Sequence, residues 1–409
     1  MKLECQRSRR TISKQSMGEV EKKVKSRAKL VFESGTLNPK REELYRNIMM
    51  LSEMRRDAKD LSPVRVPMPK FRWPLIELRK YAHSLYQALQ AVRGCDIHKG
   101  HCVNLQLDCR LKGDARKGDA ALEDEKPSFV LTLAPTADSS LWYTLQVDMI
   151  VDTPTPWRAG QRVRFLQQPT KARRAVKKGL CASLTSSLAV SFGVDSQDSL
   201  HEMAAAPETS VSALPSAGWV SMKKMLTDLH VSNKYIAELD YTQIMSLGLT
   251  LACSFLQLYL TDWVSDEWTT ADVVFLQQAA STSYDLAFLQ LNMVDGTPTA
   301  SPGPIIPSTS RRMLALATIL LELGTLKPMA EWSLPTDRDE LSTIQRCVND
   351  GHLDTEPPCF REAIDYCLEC HSKNVDLVTP SAETLQDIAG AVVAPFQRDL
   401  KSSKMAAPI

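Results

Sequence analysis

Two groups of residues in this chain carry ligand chemistry at suggestive spacing. Cys367-Leu368-Glu369-Cys370-His371 spells Cys-x-x-Cys-His, the haem-attachment string, and the same two cysteines could serve as a redox pair. Covalent haem attachment needs an export or organelle setting, yet Met1 to Arg10 holds no apolar segment of a secretory signal. Phe360, Ala363, Ile364 and Cys367 also repeat at helical spacing, an ordinary core stripe. A redox pair usually opens a helix, and this one closes it. Packing therefore accounts for these thiols better than chemistry does. The second group is Cys95, His98, His101, Cys102 and Cys109. Zinc takes such ligands, but a structural site normally pairs them across a longer stretch, and neighbours such as His101 and Cys102 point differently. The expectation is a strand onset with incidental ligands, and no metal residue is assigned.

Charge offers further candidates. Arg158, Arg162, Arg164, Lys171, Arg173, Arg174, Lys177 and Lys178 form a run without an acid. Nucleic-acid readers interleave such runs with aromatics, and here only Trp157 and Phe165 are present. A solvated loop, or a counter-charge to the acidic half, is the simpler reading. Acid pairs such as Asp266 and Glu267 exist, but nothing in the sequence sets them across a substrate, so no acid/base dyad and no catalytic residue is assigned. Gly-x-Ser-x-Gly, the phosphate-loop string and Gly-x-Gly-x-x-Gly are all missing. With 16 glycines in 409 residues, phosphate-cradling loops are hard to build.

The whole chain balances 49 Lys+Arg against 48 Asp+Glu, but its halves do not. Residues 1–180 carry a net +16 and residues 181–409 a net −15. Either the halves attract one another, or the first half meets an anionic membrane or a nucleic acid. Ten cysteines are too sparse for a disulfide scaffold and point to a reducing, cytoplasmic compartment. The uncharged stretch 244–260 falls just short of a membrane span and is interrupted by Ser246, Ser254 and Gln257, so a buried helix is expected and no transmembrane segment.

The elements that would position these residues follow from periodicity. Residues 1–62 read as a basic helical stem in which Leu44, Ile48, Leu51 and Met54 share one face. Residues 63–100 hold a proline connector and a linking helix: Pro63, Pro67, Pro69 and Pro74, then Leu75, Leu78, Ala82, Leu85, Leu89 and Val92 at spacings of three and four. Residues 101–194 form a small β-rich lobe, with strands over 103–107, 128–133, 141–151 and 162–166 and a charged loop over 112–126. Residues 195–218 read as a linker and 401–409 as a frayed tail. Residues 219–400 read as a helical lobe, with helices over 221–229, 241–260, 312–323, 360–371 and 382–400 and a short strand over 273–276.

The helical half resembles a known family. Trp219-Val220-Ser221-Met222-Lys223-Lys224-Met225-Leu226 precedes Leu247-Gly248-Leu249-Thr250-Leu251-Ala252-Cys253-Ser254-Phe255-Leu256-Gln257-Leu258. Thr261-Asp262-Trp263, Trp268, Val273-Val274-Phe275-Leu276 and Leu314-Ala315-Leu316-Ala317-Thr318-Ile319-Leu320-Leu321-Glu322-Leu323 follow. This order resembles the fungal domain-of-unknown-function family found behind HeLo-type, prion-inhibition-and-propagation helical regions, over residues 30–400. The stem resembles the tail of a HeLo-type region, here expected to be shortened. The family in turn looks like a degenerate protein kinase, which implies an α+β fold with a small sheet lobe and a larger helical lobe.

A working kinase needs a proton-accepting Asp, Mg²⁺ ligands and a phosphate-clamping Lys. Between Leu260 and Phe275 there is no His-Arg-Asp; Val294-Asp295-Gly296 stands nearest to Asp-Phe-Gly; Val130-Leu131-Thr132-Leu133 has no Lys; and Arg312 stands where the buried helix usually begins with Asp. The expectation is a non-catalytic, pseudokinase-like interaction or regulatory protein without cofactor. Its partner would be a protein, in a fungal self-recognition or cell-death-type pathway. The alternatives are an atypical nucleotide-dependent phosphotransferase with Mg²⁺ and ATP between 100–180 and 220–300, an anion-binding module, and a decayed chain without an effector end. Acids near 262–272 and Asp295 are the residues the phosphotransferase alternative would need.

Overall fold

Leucine spacing builds the first helix. In α1 (Leu75–Ala91), Leu75, Leu78, Ala82, Leu85, Ala88 and Leu89 are all buried, as the three/four repeat requires. Full burial of each leucine contributes about 1.5–3 kcal/mol. Pro74 stands at the N-cap, where its missing N–H costs nothing. The computed structural model describes residues 68–406 apart from 94–99, 113–126, 135–140, 151–173, 177–179, 181–183, 185–189, 205–211, 216–217, 233–238, 279–280, 295–308, 355 and 374–379. The basic stem over 1–62, the strand over 162–166 and most of the basic run lie outside the described residues.

The chain is mixed α+β. Strands β1 (Gly100–Gln106), β2 (Ser128–Ala134) and β3 (Leu141–Met149) form an antiparallel meander. The long β3 changes partner along its length. Its residues 147–149 pair in parallel with β5 (Val190–Val194), while 141–144 pair with β7 (Ser212–Pro215). The short β4 (Arg174–Ala175) and β6 (Leu200–Ala204) extend the β5 side. β8 (Gly218–Ser221), two residues beyond β7, pairs with β9 (Val273–Gln278). β9 pairs with β10 (Ser281–Val294), and β10 returns along the full length of β1. The sheet therefore runs β4-β6-β5-β3-β2-β1-β10-β9-β8, with β7 added beside β3. It curls enough that Trp142 of β3 and Trp219 of β8 meet with ring centroids 5.1 Å apart. Cys102, Ala134, Trp142, Leu214, Trp219 and Leu276 pack together on this face of the sheet. The alternate residues of the same strands, such as Val103, Leu105, Leu131 and Leu289, face the main core with the helices.

That core is built on two apolar helices. α2 (Met222–Ser232) leads to α3 (Tyr241–Leu258), which starts at a capping box between Asp240 and Gln243. α4 (Thr309–Thr325), α5 (Glu340–Asn349), α6 (Pro358–Ser372), α7 (Ala382–Val392) and α8 (Ala394–Ala406) pack around α3 and α4. Gly248 lets α8 approach α3: a Cβ there would lie 2.5 Å from a ring carbon of Phe396. Residues 67–409 form one compact unit. No helix among the described residues is long and apolar enough to cross a membrane.

Four expectations are corrected. The stretch 195–218 carries β6 and β7 rather than a plain linker. At five and four residues, these strands are too short to show a period. The sheet is not confined to 101–194, because β8, β9 and the fourteen-residue β10 from the helical half complete it. Helix 382–400 is two helices that meet at Val393, and α8 runs on through 401–406 instead of fraying. α5 was not expected; its amphipathic stretch is short and starts at an Asp339/Ser342 capping box.

Candidate functional site

The loop after α3, residues 259–272, holds the acids a phosphotransferase would need, and each is engaged. Asp262 accepts from Gln87 Nε2 at 3.1 Å and lies 3.7 Å from His83 Nδ1, both on α1. Asp266 receives Arg312 Nε at 2.6 Å, and Glu267 lies 3.6 Å from Arg311. Asp272 caps the turn, accepting from Thr269 N at 2.8 Å and Oγ1 at 3.2 Å. The aromatics anchor the loop. Trp263 Nε1 donates to Ala82 O at 2.7 Å and its ring meets Tyr86 edge-on, while Trp268 stacks on Phe255. Tyr259 lies 5.1 Å from the guanidinium of Arg79, whose Nε donates to Leu256 O; burial lowers that guanidinium to about 10. These carboxylates diverge onto α1, α4 and their own turn. A Mg²⁺ site needs oxygens converging in an octahedron, which this arrangement does not offer. Among the described residues, no group of three or more His, Cys, Asp or Glu side chains could hold a metal ion. Asp295 lies outside the described residues.

The cysteine strings resolve into packing. Cys367 and Cys370 both lie on the buried stripe of α6, and His371 Nδ1 bonds to Ser310 O at 2.8 Å. Burial pushes the Cys367 thiol well above its usual value, so it stays protonated. Of the second group, Cys95 and His98 lie outside the described residues. Cys102 packs with Ala134 and Trp142, accepts from Gln290 Nε2 at 3.3 Å and is pushed up to about 11 by burial. Cys109 lies elsewhere, on the face of α3. Its thiol is 3.4 Å from Thr250 Oγ1 and shares a hydrogen bond with Cys253, which holds it below the ordinary thiol range despite burial. Gln257 Nε2 fixes that segment through Asp108 O at 2.7 Å and Cys109 O at 3.2 Å. Of the basic run, Arg174 is described, exposed on β4 opposite Glu202.

A site with no sequence motif lies at the other end of α1. Phe71 forms an isolated antiparallel bridge with Leu111; Arg72 N donates to Arg110 O at 2.9 Å and Lys112 N to Lys70 O at 2.7 Å. This places Lys70 directly across from Lys112. Gln386 Nε2 of α7 donates to Pro69 O at 3.0 Å and closes the far wall. The result is an open groove of about 420 Å³, lined by residues 69–76, Lys112, Ala382, Leu385 and Gln386. Met68 beside it and Ile76 within it are 45% and 46% exposed. Two residues before Lys112, Arg110 is buried, lies 4.2 Å over the Phe129 ring and donates to Ser128 O at 2.7 Å; burial lowers it to about 10. Sequence reasoning missed this groove because its walls are about forty and three hundred residues apart along the chain.

The model of one protein family, described as a domain of unknown function (DUF7580), matches residues 72–403. That span begins beside the groove and ends in α8. No curated protein matches the chain.

Proposed function

We propose that this chain, which belongs to the DUF7580 family, is a non-catalytic interaction or regulatory domain. The observation that carries this reading is the commitment of Asp266 to the buried Arg312 on α4 and of Asp272 to its own turn, with Asp262 and Glu267 turned toward other partners on α1 and α4. A carboxylate already paired with an arginine, or capping its own loop, is a poor Mg²⁺ ligand and a poor proton acceptor for a hydroxyl nucleophile. The kinase relationship and the setting in cytoplasmic fungal self-recognition or cell-death signalling rest on the resemblance of residues 219–323.

Thermal melting with ATP, with and without Mg²⁺, tests this reading. A ligand at a hundred times its dissociation constant stabilises the native state by about 2.7 kcal/mol, a visible shift in Tm. The expected result is no shift at millimolar nucleotide. A Mg²⁺-dependent shift abolished by Asp266→Asn or Asp272→Asn would replace the interaction reading with an atypical phosphotransferase.

A further inference from the structure

From the groove at the start of α1 we infer that this surface docks an acidic peptide segment carrying a bulky apolar anchor. The inference rests on the interaction reading above and names the partner's chemistry. Lys70 and Lys112 stand directly opposite one another on a two-residue bridge, both exposed. Like charges at such positions repel. Neither lysine has a side-chain partner among the described residues: Glu77 on α1 and Glu383 on α7 pair with neither. The repulsion is held in place by backbone hydrogen bonds and by Gln386, so the fold maintains a cationic pair that no side chain among the described residues neutralises.

Beside the pair lies a concave apolar floor with Leu75 and Leu385, open to solvent and flanked by the exposed Ile76. Carboxylates would sit over the lysines while a leucine- or phenylalanine-sized side chain enters the groove. Concavity disfavours a membrane, which needs protruding apolar groups to insert. Two clustered lysines are also too local for nucleic acid, whose affinity comes from many phosphate contacts along a strand.

The test uses the full chain and a short fluorescein-labelled peptide of alternating glutamate and leucine, read by anisotropy at low salt. Parallel titrations use glutamate–serine and lysine–leucine peptides, phosphatidylserine vesicles and a single-stranded oligonucleotide. Saturable binding to the glutamate–leucine peptide alone is expected. The double variant Lys70→Glu/Lys112→Glu should weaken it by about tenfold or more. The neutral variant Lys70→Gln/Lys112→Gln should fall between the two with an unchanged or higher Tm, since it relieves repulsion. Equal binding by wild type and the charge-reversed variant overturns the inference. So does no binding of the peptide, or tighter binding of vesicles or oligonucleotide. None of these results touches the nucleotide melting test, so the docking inference and the non-catalytic reading fail separately.

Discussion

Arg312, at the start of α4, donates its Nε to Asp266 Oδ1 at 2.6 Å and so ties the second apolar helix to the loop leaving the first. The guanidinium is almost completely buried, with 8% of its side chain exposed against 27% for Asp266. Removing Asp266 would strand a buried cation. Asp266→Ala should therefore cost about 2–4 kcal/mol in urea unfolding, more than Arg312→Met, which removes the buried charge and keeps the packing. Equal losses for the two variants, or a loss for Asp266→Ala under about 0.5 kcal/mol, would show that the pair is not what holds the loop.

Glu322, in the last turns of α4, predicts a pH effect. It accepts from Thr270 Oγ1 at 2.8 Å and from Met329 N, and burial still raises its carboxyl above 4.5. A folded-state value above the unfolded one means that the native state binds this proton more tightly. Glu322 thus contributes stability below about pH 4.5 that is lost as pH rises through its raised folded value. In Glu322→Gln the amide oxygen can keep the Met329 bond and its NH₂ can donate to the Thr270 hydroxyl. That variant should match wild type near pH 4 and be at least as stable at pH 7, flattening the slope between. Glu322→Leu leaves the Met329 N–H unpaired and should lose about 1–3 kcal/mol at either pH. Parallel wild-type and Glu322→Gln stability curves across this range would refute the assignment.

Helix stripes were legible in the sequence because their period is local. The α1 leucines and the Phe360, Ala363, Ile364, Cys367 face of α6 can be read from spacing alone, and all are buried. β10 was not legible. One face of it carries Gln290, paired in register with Asn104, which is paired with Thr132; this polar row breaks the expected alternation. The curl of the sheet was hidden for a different reason, since β7 meets β3 across some seventy residues and β8, which follows it, brings Trp219 to Trp142. At the loop after α3 the sequence showed Arg312 as a departure from a kinase and Asp266 as one acid among several. Their pairing across forty-six positions needed the fold. The groove had no signal at all, because two lysines 42 positions apart become a site only through the Phe71–Leu111 bridge.

Gly248 on α3 is a packing requirement with a defined partner. A methyl group there would lie 2.5 Å and 3.0 Å from two ring carbons of Phe396 and 3.2 Å from Phe360 Cζ. Alanine improves helix propensity by about 1 kcal/mol over glycine, but overpacking a rigid core costs about 1–3 kcal/mol. Gly248→Ala should therefore be destabilising on balance. Phe396→Leu removes the ring and should recover part of that loss in the double variant, a coupling that urea unfolding of all four proteins measures. A Gly248→Ala protein as stable as wild type would mean that α8 can move away from α3 without cost.

Thiol reactivity separates Cys109 from the other described cysteines. Cys109 is half-buried, whereas Cys102, Cys253, Cys347, Cys359, Cys367 and Cys370 are buried. The Cys253 thiol stabilises the Cys109 thiolate, while burial pushes Cys102 up to about 11 and Cys253 and Cys367 well above their usual values. The thiolate is the reacting species. Iodoacetamide near neutral pH should thus label Cys109 before any of those six, as read by peptide mass spectrometry of the native protein. Cys253→Ala removes the hydrogen bond while opening space around the sulfur, so the two contributions oppose each other. If the hydrogen bond governs, the pH midpoint of Cys109 labelling rises in that variant; if access governs, the rate rises with the midpoint unmoved, and the role given to Cys253 is wrong.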